Sequence, residues 1–113
     1  MLEHVLRAGR IASLELPCRV LMGSMHLGVE AEPDGAALAA FYAERARGGA
    51  ALIVTGGSAI SRVGAGGRHY SFINEDADAP KLRAIARAVH EAGGRIALQL
   101  FHAGRYGSER FFG

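Results

Sequence analysis

The 113-residue sequence has no tryptophan, one cysteine, one lysine and three prolines. Cys18 has no internal disulfide partner, and one thiolate cannot supply an all-cysteine zinc site or an iron–sulfur cluster. No run approaches the ~18–20 consecutive apolar residues of a membrane span. Charge of one sign is also scarce. Thirteen basic residues stand against eleven acidic ones, and the net +2 is too small and too dispersed for a nucleic-acid surface. The twelve arginines stand singly, as on a solvated face. Residues 1–16 lack an apolar core segment and a small-residue cleavage site, so no signal peptide is read there. With the lone cysteine, that favours a reducing, cytoplasmic compartment.

Half the residues are apolar and 16 are glycine, which fits a globular chain. The length allows one domain or part of one. Three short apolar runs read as buried parallel strands: Arg19–Met22, Ala50–Thr55 and Arg95–Phe101. Between them lie two helices. Asp34 can cap one that runs to about Arg47 and stops at Gly48-Gly49, with Leu38, Phe41 and Tyr42 on one face. Asp78 can cap the other, with Pro80 in its first turn, a stripe of Leu82, Ile85, Ala86 and Val89, and a stop at Gly93-Gly94. Residues 1–18 read as a β-hairpin or cap, with Gly9 available for the turn. Residues 60–77 read as a long glycine-rich loop, a common place for function.

Strand, helix, strand, helix, strand makes a parallel sheet with right-handed crossovers, in a (β/α) barrel or a doubly wound sheet alike. Both architectures bind ligands at the carboxyl ends of the strands. That rule selects Gly23-Ser24-Met25-His26, Thr55-Gly56-Gly57, and Gln99 with His102 to Tyr106. Glycines there let a flat ligand approach the backbone. The Gln99 amide can read an edge presenting a carbonyl and an N–H, such as the pyrimidine edge of a flavin or a base. Met25 offers a polarizable surface beside a ring. No carboxylate pair and no activated nucleophile stands at these ends, so holding an organic cofactor is favoured over hydrolysis. His26 and His102 are each open to a ligand-facing or a structural role, and no third ligand makes them a metal pair. Arg105 is open to an anionic group or to loop carbonyls. Gly64-Ala65-Gly66-Gly67 lacks the flanking strand and helix of a phosphate loop and reads as a loop tip.

Four blocks resemble the old yellow enzyme superfamily, in order and over nearly the whole chain. Arg19-Val20-Leu21-Met22-Gly23-Ser24-Met25-His26 resembles its first barrel strand, in the form of the 2,4-dienoyl-CoA reductase branch. Phe41 to Gly49 is similar to its first helix, and Leu52 to Gly57 to its second strand. Gly94 to Leu100 with His102 to Tyr106 is similar to its third strand and the following loop. The resemblance implies an α/β fold: the N-terminal portion of a (β/α)8 TIM barrel, with about three of eight strands, two helices and a β cap. The domain would comprise a cap at 1–18, the strands and helices at 19–106, and a truncated tail at 107–113 containing Phe111 and Phe112.

It also implies an FMN-dependent oxidoreductase, with Ser24, Met25 and His26 lining the flavin, Gly57 letting the ring lie close, and Gln99 on the pyrimidine edge. Hydride would pass from NADPH through FMN to a conjugated carbon–carbon double bond of an enoyl or 2,4-dienoyl thioester. Such a barrel takes about 250 residues. The proton donor is therefore expected beyond residue 113, since neither Tyr70 nor Tyr106 matches its place. An iron–sulfur cluster of that branch would likewise lie outside this chain.

Three strands leave a sheet edge open. Marginal stability or self-association, and negligible reductase activity, are expected of these residues alone. The alternatives are a small non-enzymatic, self-associating α/β module and a barrel enzyme with another cofactor.

Overall fold

The structure, a computed structural model, describes residues 2–107. Most of the expected tail, including Phe111 and Phe112, lies outside the described residues. A short helix α1 (Glu3–Leu6) leads into the antiparallel hairpin β1 (Gly9–Ile11) and β2 (Leu14–Leu16). The hairpin turns at Ala12-Ser13, where Ala12 has φ 49°. Gly9 is not the turn. It opens β1, and a side chain there would press on Arg19 Cγ at 3.2 Å.

Three parallel strands follow in the order β3 (Leu21–Met22), β4 (Leu52–Val54), β7 (Ile96–Ala97). Between them run α2 (Ala36–Arg47) and α3 (Ala79–Glu91). Helix α2 begins after Gly35, whose φ of 65° suits glycine, and Asp34 Oδ1 accepts the Ala36 N–H at 3.0 Å. Asp34 thus caps as expected, one residue outside the formal cap. Asp78 precedes α3, but its carboxylate turns back to accept the Asn74 and Glu75 N–H groups, closing a reciprocal capping box with Glu75.

Both helices cover one face of the sheet. Leu38, Tyr42, Ala46, Ile85 and Val89 pack with Ile53, and Met22 and Ile96 flank them. The opposite face is open: Leu21 is 48% exposed.

The second and third strands run past this sheet. Beyond Val54 and Ala97 the pairing resumes as β5 (Ser58–Ala59) beside β8 (Leu100–Phe101). Three residues, Thr55, Gly56 and Gly57, span the break on one strand against two, Leu98 and Gln99, on the other. The extra residue makes a bulge, which interrupts pairing and re-aims the side chains around it. Backbone bonds bridge the break, from Thr55 N to Ala97 O at 3.0 Å and from Ser58 N to Gln99 O at 2.8 Å. The single strand expected at 95–101 is therefore divided in two, while the one expected at 50–55 is β4, and β5 continues the ladder beyond it. The first strand leaves the sheet at Gly23, and the vacated side of β5 is filled by β6 (Ser71–Phe72). That two-residue parallel strand lies inside the segment expected to be loop.

Candidate functional site

The bulge sits where the three strands end. Displaced from the regular ladder, the Gln99 N–H donates instead to Thr55 Oγ1 at 3.1 Å. The Gln99 side chain then reaches the first strand, where Ser24 Oγ donates to its Oε1 at 2.8 Å. Among the described residues the Gln99 amide N–H groups have no partner, and the residue is exposed. Ser24 thus fixes which end of the amide faces outward. Met25 stands beside this pair, 47% exposed. At Gly23 a side chain would meet nothing within 4 Å.

His26 sits on the same rim in a row of rings. Its imidazole centroid lies 4.2 Å from Tyr70, and Tyr70 lies 5.1 Å from Phe101. Phe101 in turn fills the room beside Gly57, where an added Cβ would sit 2.9 Å from the Phe101 Cβ. Gly57 is buried, and the space its missing side chain leaves is taken by this ring rather than opening to solvent. Gly56 serves a second close approach: a Cβ there would lie 2.8 Å from Met25 O and 3.1 Å from His26 Nδ1.

Behind the rim is a residue that sequence reasoning missed. Glu30 is 2% exposed and accepts the Leu27 N–H on Oε1 at 2.5 Å and the Gly28 N–H on Oε2 at 2.8 Å. Its Oε1 lies 3.6 Å from His26 Nδ1, and Lys81 Nζ donates to its backbone carbonyl. Burial lowers the Lys81 ammonium pKa, against the pull of Asp78, Glu30 and other acids. Tyr42, from α2, accepts the Gly56 N–H on its hydroxyl at 3.2 Å. Burial raises its phenol pKa, the Gly56 N–H works against that, and the nearby Glu30 charge adds to it.

The other candidates make contacts within the chain. His102 Nδ1 accepts the Gly104 N–H at 3.0 Å, and its ring packs where a side chain on Gly64 would go. Arg105 is exposed, with its guanidinium 5.6 Å from the Tyr106 ring centre. Gly64 ends a short 3₁₀ turn capped by Ser61, so its loop is not a phosphate cradle. Cys18 is half-buried, its thiol 3.4 Å from Gly49 O at the opposite end of the strands. Among the described residues no group of three His, Cys, Asp or Glu side chains could hold a metal, and no helix is long and apolar enough to cross a membrane.

Sequential parallel strands with helices on one face and a polar rim at the strand ends describe part of a (β/α) barrel. Solved structures agree. The chain is similar to morphinone reductase, at 32% identity and a TM-score of 0.83, covering 91% of this chain and 28% of that one. It is also similar to the old yellow enzyme from Trypanosoma cruzi, at 29% identity and a TM-score of 0.85, covering 96% of this chain and 29% of that one. Residues 10–110 match the model of the NADH:flavin oxidoreductase / NADH oxidase family. The chain belongs to that family, within the old yellow enzyme superfamily, and its fold is a portion of the TIM barrel. Among curated proteins it is 43% identical over 100 residues to a metal reductase of Desulforamulus reducens, which covers 86% of this chain and 14% of that protein. The chain therefore spans about one seventh of that relative and under a third of the solved structures.

FMN is the family's cofactor. The residues present fit it: an outward amide donor held by Ser24, open space beside Gly23, and the soft Met25 side chain together suit a ring with a carbonyl edge.

Proposed function

We propose that these residues form one part of the FMN site of an NAD(P)H-dependent reductase acting on a conjugated carbon–carbon double bond, in an enoyl or 2,4-dienoyl thioester. The observation that carries the reading is the Ser24–Gln99 hydrogen bond, which joins strand ends 75 residues apart and presents the amide N–H groups outward. Gln99 would donate to a carbonyl of the flavin's pyrimidine edge, with Ser24 orienting it. Met25 would lie against the ring, and His26 would face it from the Tyr70 side. Gly57 enters indirectly, by admitting Phe101 behind the rim.

When bound, FMN supplies two-electron chemistry, accepting hydride from NAD(P)H and passing it to the double bond, while a proton from an acid completes the reduction. No described residue is assigned that acid. An iron–sulfur cluster, in a protein that has one, would be held outside residues 1–113, whose one cysteine is far from the rim. A cytoplasmic setting suits this chemistry, and residues 1–113 are read as one partial FMN-binding unit.

The name of the Desulforamulus reducens relative favours a second reading, in which the electrons pass to a metal species. The test is to load FMN on a complete barrel that contains these residues, rather than on residues 1–113 alone, and follow NADPH oxidation with a dienoyl thioester and, separately, with a soluble ferric complex. Flavin-dependent turnover of the thioester supports the first reading. Turnover of the ferric complex alone replaces it, and failure to bind FMN removes both.

A further inference from the structure

Every buried polar or charged side chain of the described residues — Glu30, Thr55, Ser58 and Ser71 — lines one small cavity beneath the rim. The cavity measures about 10 Å³, room for one water at most, and the Tyr42 hydroxyl borders it. Glu30 is the single charged member. A buried carboxylate is costly unless its oxygens are satisfied, and an apolar side chain would fill such a place at less expense to stability. Its partners show what it holds. Each oxygen takes one of two successive backbone N–H groups, Leu27 and Gly28, and Oε1 also faces His26 Nδ1. The same oxygen lies 3.4 Å from where a Cβ on Gly56 would be, so the end of the second strand closes directly over it. The His26 side chain remains 37% exposed while that of Glu30 is 3% exposed, the arrangement of an outward group on a buried anchor.

We propose that Glu30 is the positioning residue of the first strand's cofactor-facing turn. Its carboxylate shapes residues 25–28 so that Met25 and His26 face the ligand. The inference rests on the flavin reading above. Both oxygens must accept, which requires the carboxylate. In Glu30→Gln one amide N–H would confront a side-chain N–H instead.

The experiment is FMN titration of the purified protein, followed by flavin fluorescence, alongside NMR of the His26 ring protons, whose shifts report the Tyr70 ring 4.2 Å away. Glu30→Gln is expected to weaken FMN binding at least tenfold and to move the His26 resonances. Ser58→Ala, which lines the same cavity but does not touch the turn, is expected to change neither. Wild-type affinity and unmoved His26 resonances in Glu30→Gln overturn the proposal and leave the flavin reading standing. A wild-type protein that binds no FMN overturns both. If Glu30→Gln does not fold, amide exchange in the wild type decides. Leu27 and Gly28 should exchange at least tenfold more slowly than in an unstructured peptide, and exchange at the unstructured rate contradicts the proposal.

Discussion

The two faces of the three-stranded sheet differ sharply. On one, Ile53 and Val89 are fully buried, and Tyr42 nearly so, under α2 and α3. On the other, Leu21 is 48% exposed, and among the described residues no helix covers it. One face is a finished α/β layer, while the other is the kind of surface that barrel strands bury against each other around a closed interior. The helices fix the strands, and the strands carry the rim. The covered face therefore governs stability, and the proposed binding falls to the strand ends.

Mutations that separate these roles sharpen the contrast. The largest effect is expected from Ile53→Ala, at about 2–5 kcal/mol for a large-to-small change in a packed core. Leu21→Ala on the open face should cost under about 1 kcal/mol. Urea unfolding of both variants measures the difference. Equal losses would mean that the second face is covered in solution, by a second copy or by further barrel strands, and sedimentation would then show which.

Next comes Tyr42→Phe, expected to cost about 1–3 kcal/mol because the buried Gly56 N–H loses its acceptor. It also carries a pH signature. The folded protein holds the Tyr42 proton above the ordinary pKa near 10, where the unfolded chain releases it. Stability from this residue is thus complete below about pH 10 and declines as the pH rises further. The decline should be weaker in the Phe variant. Lys81 contributes in the opposite sense, but equally in both proteins, so the comparison isolates Tyr42.

The smallest effect is expected at the rim's periphery. Arg105→Ala should shift stability by no more than about 0.5 kcal/mol and leave FMN affinity unchanged, since among the described residues the exposed side chain meets only Tyr106.

The covered face was the legible part of the sequence. The Leu82, Ile85, Ala86, Val89 stripe and the Gly93-Gly94 stop locate α3 within a residue or two, because periodicity and terminators are local. Gly56-Gly57 read as a strand end, yet it is a bulge within a longer ladder, and its extra residue is visible only against the partner strand. The two-residue β6 carries no pattern of its own and pairs because the first strand has left the sheet. At the site, the strand-end rule brought Ser24 and Gln99 to one rim, while their hydrogen bond depends on the bulge. Glu30 left no signal, since Leu27-Gly28-Val29-Glu30 has no periodicity and Gly56, which closes over its carboxylate, follows the next strand of the sheet.

We propose that the strand-end cluster is a flavin site read by Gln99. FMN titration of the wild type against Gln99→Leu tests it most directly. Saturable binding by the wild type, at least tenfold weaker in the variant with an unchanged melting transition, is the expected result. Equal binding by the two proteins, or none by the wild type, would contradict the claim.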